Sequence, residues 1–297
     1  MRILVAGWHG QVALALSAAA ARRADVVAYA VGRPALDLCD RPSVGRTLFG
    51  IAPDVIINTA AYTDVEGAES EPEIARRRNT DGAAALARQA ARIGVPVIHL
   101  STVYVFDGEK TGPYLETDAT APINAYGCSK RDGEAAVAAA NPRHVILRTG
   151  WIYGPDGANF VTNVLARAAR GEALEVADDQ HGSPTYAPAL ADAILEIAAQ
   201  VAGRGADDTA WGVYHVADVG ETDWHGFAEA ALGLSMRVAR DYSLTAVSSK
   251  ALPVRAPRPA NVTLACGRLK ERFGIALPEW RASLADCVRR IEGGEVR

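Results

Sequence analysis

A tyrosine and a lysine four residues apart are the side chains of this sequence best suited to chemistry. Tyr126 and Lys130 stand in the stretch NAYGCSK, at the start of an alanine-rich segment with helical spacing. Residues four apart on a helix project from the same face. A neighbouring ammonium favours the phenolate and lowers the pKa of a tyrosine from its ordinary value of about 10. Such a pair can donate a proton to a carbonyl oxygen while a hydride reaches the carbonyl carbon.

A short glycine loop near the N-terminus gives the second chemical signal. VAGWHGQVA places Gly7 and Gly10 directly after a strand-like run and before a helix-like segment, with Ala13 where a third glycine is usual. Glycine lets backbone amides approach a pyrophosphate, and a helix N-terminus offers free N–H groups. The loop therefore favours a dinucleotide site over a structural turn. When the glycine loop and the Tyr126 and Lys130 pair are considered together, the interpretation of the pair as an ordinary exposed pair on a surface helix becomes the weaker one.

The end of the second predicted strand indicates which dinucleotide binds. An acidic residue there accepts hydrogen bonds from the adenosine ribose, but DVVAYAVGRPALD has Ala30 at the strand end and Arg33 just beyond. A guanidinium suits a 2'-phosphate, so we expect NADPH, with NADH and a solvated loop arginine as the alternatives. Asp37 and Leu38 are candidate neighbours of the adenine, or simply belong to the start of a helix capped by Asp40.

These residues need a scaffold that brings strand ends together. The first half alternates helical patterns with five short apolar runs, RILVA, DVVAYA, DVIINTA, PVIHLST and HVILRTG. This alternation predicts an α/β fold with a doubly wound parallel sheet of Rossmann type, to which WGVYHVAD returns as a further strand. We expect a dinucleotide-binding domain over residues 1–150 with a return segment near 183–220. A smaller substrate-binding lobe is expected over 151–182 and 221–297.

Composition narrows the class of protein. The 297 residues are 49% hydrophobic and 22% charged, with a net charge of −4. With this charge, and with Lys and Arg taken to be scattered along the chain, no basic face for a nucleic acid is expected. Four cysteines without C-x-x-C pairing predict free thiols in a reducing cytoplasm. Polar residues and glycines interrupt the apolar N-terminus and no later apolar run is long enough to span a bilayer, so neither secretion nor a membrane span is expected.

Seven motifs, taken together, resemble the extended short-chain dehydrogenase/reductase family. They run in order over most of the chain: GWHGQV, NTAAYTDVEGAESEPE, STVYVFDG, NAYGCSK, RTGWIYGPDGANFV, DDQHGSPT and RPANVTL. The resemblance implies NAD(P)H-dependent reduction of the C4 ketone of a dTDP-4-keto-6-deoxy sugar, above all the precursor of dTDP-L-rhamnose, in a homodimer. A reductase of another nucleotide-linked 4-keto sugar and a non-catalytic, dinucleotide-binding regulatory protein are the alternatives.

The resemblance also implies roles for single residues. Tyr126 would donate the proton, Lys130 would hold the nicotinamide ribose and Thr102 would hydrogen-bond the reacting carbonyl oxygen. Trp151 would contact the sugar, with a plain core tryptophan as the alternative. The remaining implied cofactor contacts are Gly10, Gln11 and Val12 at the pyrophosphate, Asp37 and Leu38 at the adenine, and Ala61, Tyr62 and Thr63 after the third strand.

Three positions depart from the family pattern. Ala30 replaces the usual acidic residue, which agrees with NADPH. Ala15 stands where some members have an acidic residue that helps to bind magnesium, and the six histidines lack ligand spacing, so no metal is expected. Val103 replaces an aspartate that commonly touches the sugar, which leaves the identity of the sugar open. Without a carboxylate beside Thr102, a dehydratase is disfavoured.

Overall fold

A six-stranded parallel sheet forms the centre of the protein in a computed structural model, which describes residues 1–238 and 242–294. The strands are β1 (Arg2–Ala6), β2 (Val27–Val31), β3 (Val55–Asn58), β4 (Val97–Thr102), β5 (His144–Thr149), β6 (Ile152–Tyr153), β7 (Leu174–Ala177), β8 (His181–Gly182), β9 (Thr185–Tyr186), β10 (Gly212–His215), β11 (Thr222–Asp223), β12 (Leu244–Val247) and β13 (Asn261–Val262). The central sheet has the order β2, β1, β3, β4, β5, β10, with every neighbouring pair parallel.

Helices cover both faces of this sheet. They are α1 (Gln11–Ala21), α2 (Arg41–Ile51), α3 (Val65–Ser70), α4 (Pro72–Arg76), α5 (Ala83–Arg92), α6 (Ala125–Ala140), α7 (Phe160–Ala169), α8 (Ala187–Val201), α9 (Trp224–Leu234), α10 (Gly267–Phe273) and α11 (Trp280–Gly293). Ile3 and Val5 of β1 pack with α1 and α8. Leu4, between them, packs on the other face with Leu48 of α2 and Leu86 of α5. Because successive strand residues face opposite sides, both faces of β1 must be apolar.

The predicted Rossmann-type α/β fold is confirmed. All five predicted runs form strands of the central sheet, and WGVYHVAD supplies β10 beside β5. The second strand ends at Val31, one residue later than predicted. Strand order reverses between β1 and β3, and ligands of such sheets bind at the carboxyl ends of the strands beside the reversal.

The part of the chain after β5 has its own apolar cluster. Large aromatic side chains, among them Tyr153, Phe227 and Trp280, are fully buried there between α7, α9 and α11. The other strands form small sheets of two or three strands outside the central one. Residues 239–241 and 295–297 of the predicted substrate lobe lie outside the described residues, and the lobe boundaries stay a prediction. Within the described ranges, no helix has the length and apolar character needed to cross a membrane.

Candidate active site

The glycine loop after β1 forms a cradle for a phosphate. Gly7 has φ +117°, and a Cβ there would lie 2.5 Å from Thr59 Oγ1, so only glycine fits. Gly10 caps the N-terminus of α1 without a side-chain hydrogen bond, and nothing lies within 4 Å of a Cβ built on it. The first amides of α1 are therefore open to an anion. Gln11 Oε1 is buried and, within the described ranges, lacks a hydrogen-bond partner, whereas the Val12 side chain packs in the core.

A cleft of about 960 Å³ extends from this loop along the carboxyl ends of β1, β2 and β3. Its walls fit a dinucleotide, because backbone amides of the glycine loop stand at one side and polar loops at the other. Tyr62 does not line it: its hydroxyl donates to Glu71 Oε2 over 2.9 Å. The predicted cofactor residues that do line it are Gly7, Gly10, Arg33, Asp37, Leu38, Ala61 and Thr63.

Two further arginines line the same cleft and were missed by the sequence analysis. Arg77 and Arg78 lie on a π-helical turn, 77–82, between α4 and α5. This turn packs directly against α6, because a Cβ on Gly133 of that helix would lie only 2.4 Å from Asn79 O. The signal was the run RRR at 76–78, and the description of Lys and Arg as scattered was wrong.

The catalytic candidates meet at the carboxyl end of β4. Thr102 is the last residue of β4, and its hydroxyl lies close enough to that of Tyr126 to lower the pKa of the tyrosine. Helix α6 begins one residue before Tyr126, where Asn124 Oδ1 accepts from Gly127 N over 2.7 Å. A Cβ on Gly127 would lie 2.1 Å from Tyr104 O. The glycine therefore lets α6 approach the strand end closely enough for the two hydroxyls to meet.

Lys130 lies one turn after Tyr126 and is buried. Its Nζ donates to Leu100 O over 2.6 Å, and burial lowers its pKa to about 8 although Glu134 acts to raise it. Burial also raises the pKa of Tyr126 to about 12, against the hydrogen bond from Thr102, which lowers it. The expectation that Lys130 depresses the pKa of Tyr126 is therefore wrong for the protein without ligand, because desolvation dominates.

Glu134 extends the same helix face by one more turn and was not anticipated. Residues 126, 130 and 134 follow one another at intervals of four, which is the signal that could have identified it. Glu134 accepts from Arg148 of β5, with Oε2 2.7 Å from Nη2, and from the Ser101 hydroxyl of β4. Both members of this ion pair are nearly inaccessible to water. The pair connects α6 to β4 and β5 close to Lys130 and Tyr126.

Val103 and Trp151 form an apolar wall beside this corner. Val103 is buried at the start of a short 3₁₀ turn, and a Cβ on Gly150 would lie 2.5 Å from its Cγ2. Trp151 follows β5 with φ +49° and is 8% exposed. Its ring is stacked on that of Trp224, with centroids 3.6 Å apart and an angle of 12°. The contact of either residue with a sugar stays a prediction.

The glycine loop and the start of α1 fit the pyrophosphate of a dinucleotide. The open N-terminus of α1 offers backbone N–H groups to a pyrophosphate, and the glycine at position 7 lets it approach closely. Ala15, the position of the missing acidic residue, lies on α1. Over residues 1–238 and 242–294, no group of three or more His, Cys, Asp and Glu side chains is placed to hold a metal ion.

The parallel sheet, the glycine cradle and the Thr102, Tyr126 and Lys130 corner define an extended short-chain dehydrogenase/reductase, a dinucleotide-dependent oxidoreductase class. A family model described as the RmlD substrate binding domain matches residues 1–292. The chain belongs to the dTDP-4-dehydrorhamnose reductase (RmlD) family.

Individual relatives agree with this assignment. The dTDP-4-dehydrorhamnose reductase of Sinorhizobium fredii is 45% identical over 284 residues, covering 95% of each chain. A crystal structure of a dTDP-4-dehydrorhamnose reductase from Clostridium acetobutylicum superposes with a TM-score of 0.91, at 30% identity, over 98% of this chain and 100% of the other. That of the Bacillus anthracis enzyme in complex with NADP has a TM-score of 0.87 at 30% identity, covering 96% of this chain and 98% of the other.

Proposed function

We propose that this protein reduces the C4 ketone of dTDP-4-dehydrorhamnose to give dTDP-L-rhamnose, with NADPH as the reductant. The single observation that carries the proposal is the placement of Thr102 at the end of β4, beside Tyr126 at the start of α6, with buried Lys130 one turn further along that helix. The activity named for the relatives in Sinorhizobium fredii and Clostridium acetobutylicum supports the choice of sugar.

The protonation states of the corner suit a reduction. Bound NADPH supplies the hydride that reaches the carbonyl carbon. With a pKa of about 12, Tyr126 carries its proton at neutral pH and can donate it to the carbonyl oxygen. A sugar alkoxide is a stronger base than a phenolate, so this transfer is downhill. Thr102 would hold the same oxygen through its hydroxyl, and Lys130 would hold the nicotinamide ribose.

The choice of NADPH rests on the cleft as well as on the family. Arg33 lines the cleft beyond β2, where a 2'-phosphate of the adenosine would lie, and Ala30 offers no carboxylate to repel that phosphate. The NADP bound to the Bacillus anthracis relative supports the same cofactor. NADH is the weaker alternative, because it lacks the group that a guanidinium would recognise.

The test is reduction of the sugar by the purified protein. With dTDP-4-dehydrorhamnose and NADPH, absorbance at 340 nm should fall as dTDP-L-rhamnose forms, and NMR of the product should show the C4 configuration. A panel of other dTDP- and UDP-linked 4-keto sugars measures which sugars the protein reduces with valine at position 103. If no 4-keto sugar is reduced while NADPH still binds, the proposal fails and the regulatory alternative gains.

Cytoplasmic location and association into a homodimer complete the proposal. The location is supported by the pattern of four cysteines, which the structure describes as free thiols. The homodimer is supported by the family resemblance alone. Analytical ultracentrifugation of the purified protein at micromolar concentration distinguishes a dimer from a monomer.

A further inference from the structure

The cofactor cleft holds cationic side chains that the glycine loop and catalytic corner do not use. Arg33 enters from the loop after β2, whereas Arg77 and Arg78 enter from the π-helical turn. In the described part of the chain, Arg33 and Arg77 have neither a side-chain hydrogen bond nor an ion pair. Arg78 lies over the ring of Tyr62, 5.5 Å from its centroid. Two exposed guanidinium groups thus line one cleft, and neither has an intramolecular partner among residues 1–238 and 242–294.

Arg76, the first arginine of the run, differs from Arg77 because two carboxylates already bind it. Arg76 donates to Glu73 Oε2 over 3.1 Å and to Asp81 Oδ2 over 2.8 Å, and it does not line the cleft. A ligand that recruited Arg76 would have to break these ion pairs. Arg77 can meet an anion without giving up such a contact.

The two loops that carry Arg33 and Arg77 adjoin each other. The Cys39 thiol donates to Arg77 O over 3.6 Å, and a Cβ on Gly82 would lie 2.9 Å from Leu38 Cβ. The carboxylate that lines this end of the cleft, that of Asp37, accepts from Cys39 N over 2.9 Å. Its Oδ1 is thereby engaged in a turn, which leaves the guanidinium groups as the dominant charge at this end.

We propose that Arg77 is a specificity-determining residue, the second arm, with Arg33, of a 2'-phosphate site at the adenosine end of the cleft. This inference rests on the proposed function in one respect, since it takes NADPH as the cofactor. A phosphate monoester carries nearly two negative charges at neutral pH, and guanidinium groups bind such oxygens through paired hydrogen bonds. Because NADH lacks this phosphate, Arg77 contributes to discrimination and not to binding of the shared nucleotide.

The test compares two nucleotides that differ by the 2'-phosphate alone. Adenosine 2',5'-bisphosphate and 5'-AMP are titrated calorimetrically into wild-type protein, Arg77→Ala, Arg33→Ala and the matched control Arg76→Ala. We expect Arg77→Ala to weaken binding of the bisphosphate by about tenfold or more and binding of 5'-AMP by less than about twofold. Arg76→Ala should leave both within about twofold, and Arg77→Lys should fall between wild type and alanine, because a lysine keeps the charge and loses the fork.

Three outcomes overturn the inference: equal weakening of both nucleotides in Arg77→Ala, no weakening of either, or no preference of the wild-type protein for the bisphosphate. Neither probe contains nicotinamide or sugar, so the result does not depend on turnover. A protein that keeps this discrimination but reduces no 4-keto sugar refutes the proposed reaction and leaves the phosphate site standing. If the wild-type protein reduces the sugar but Arg77→Ala keeps its preference for the bisphosphate, the proposed reaction stands and the role of Arg77 in the phosphate site is refuted.

Discussion

Two buried clusters of this protein differ in whether their carboxylate is paired with a cation. Beneath the catalytic corner, the carboxylate of Glu134 is paired with Arg148, and the Lys130 ammonium is hydrogen-bonded to a backbone carbonyl. In the C-terminal part, Asp218 is 3% exposed and faces the hydroxyl groups of Tyr153 and Ser283. In the described ranges, Asp218 has no cationic partner, and burial raises its pKa to about 7.

The difference shows that burial alone does not decide what an ionisable group does. A buried carboxylate that has a cation and hydrogen bonds fixes the elements that carry it, and removing one partner is costly. A buried carboxylate that has hydrogen-bond donors around it but no cation takes up a proton near neutral pH. The first arrangement fixes α6 against β4 and β5, whereas the second makes stability depend on pH. Four predictions test this comparison, beginning with the largest effect.

The largest effect is expected at Tyr126, the residue that the paired cluster positions. Tyr126→Phe removes the proton donor and should lower kcat by about 10²- to 10⁴-fold, while NADPH affinity changes little. Steady-state kinetics at 340 nm and a cofactor titration measure the two quantities. The control is Tyr104→Phe, whose ring lies edge-on to that of Tyr126, with centroids 6.2 Å apart. Comparable losses in both variants would show that packing, and not proton donation, is responsible.

The next effect concerns the buried ion pair. Glu134→Gln leaves Arg148 buried without a counter-charge and should lower the free energy of unfolding by about 3–5 kcal/mol. Glu73→Gln removes a carboxylate from an exposed pair with Arg76 and should change it by less than about 1 kcal/mol. Urea unfolding followed by circular dichroism measures both. A loss below about 1 kcal/mol in Glu134→Gln would place the two pairs in the same category.

The third prediction uses the pKa of Lys130 in the free enzyme. If its charge is needed to hold the cofactor, kcat/KM for reduction should fall as pH rises above about 8, approaching tenfold per pH unit. Lys130→Arg should retain the charge and move this alkaline limb upward, because a guanidinium does not deprotonate in that range. An unchanged limb in Lys130→Arg would assign the titration to another group.

The last prediction concerns Asp218, the buried carboxylate that has no cationic partner among the described residues. Because the folded-state pKa of Asp218 lies above its unfolded value, stability falls as pH rises from about 4 to about 7 and stays reduced above that. Asp218→Asn cannot ionise, so it should raise the free energy of unfolding at pH 8 and change it little at pH 4. Thermal unfolding at both pH values measures the difference. A gain of equal size at both would exclude titration of Asp218 as its cause.

Local patterns were enough to predict the sheet, one wall of the cleft and the helix that carries Tyr126 and Lys130. The alternation of apolar runs with helices gave the strands, and Gly7, with φ +117°, shows why a glycine was needed after the first of them. The spacing of Tyr126 and Lys130 placed both on one face of α6, and the position of Thr102 at a strand end brought it to the same corner. Each of these features depends on residues that are close together in the sequence.

What the tertiary structure decided depends on residues that are far apart. Glu134 finds its partner Arg148 on β5, which a helical pattern cannot indicate. The RRR run does not tell which arginine is engaged by Glu73 and Asp81 and which faces the cofactor cleft. The pKa of Tyr126 follows from desolvation by neighbours packed around α6, and the sequence argument from Lys130 alone gave the wrong direction. Spacing determines which side chains can meet, whereas packing determines how much water and which charges surround them.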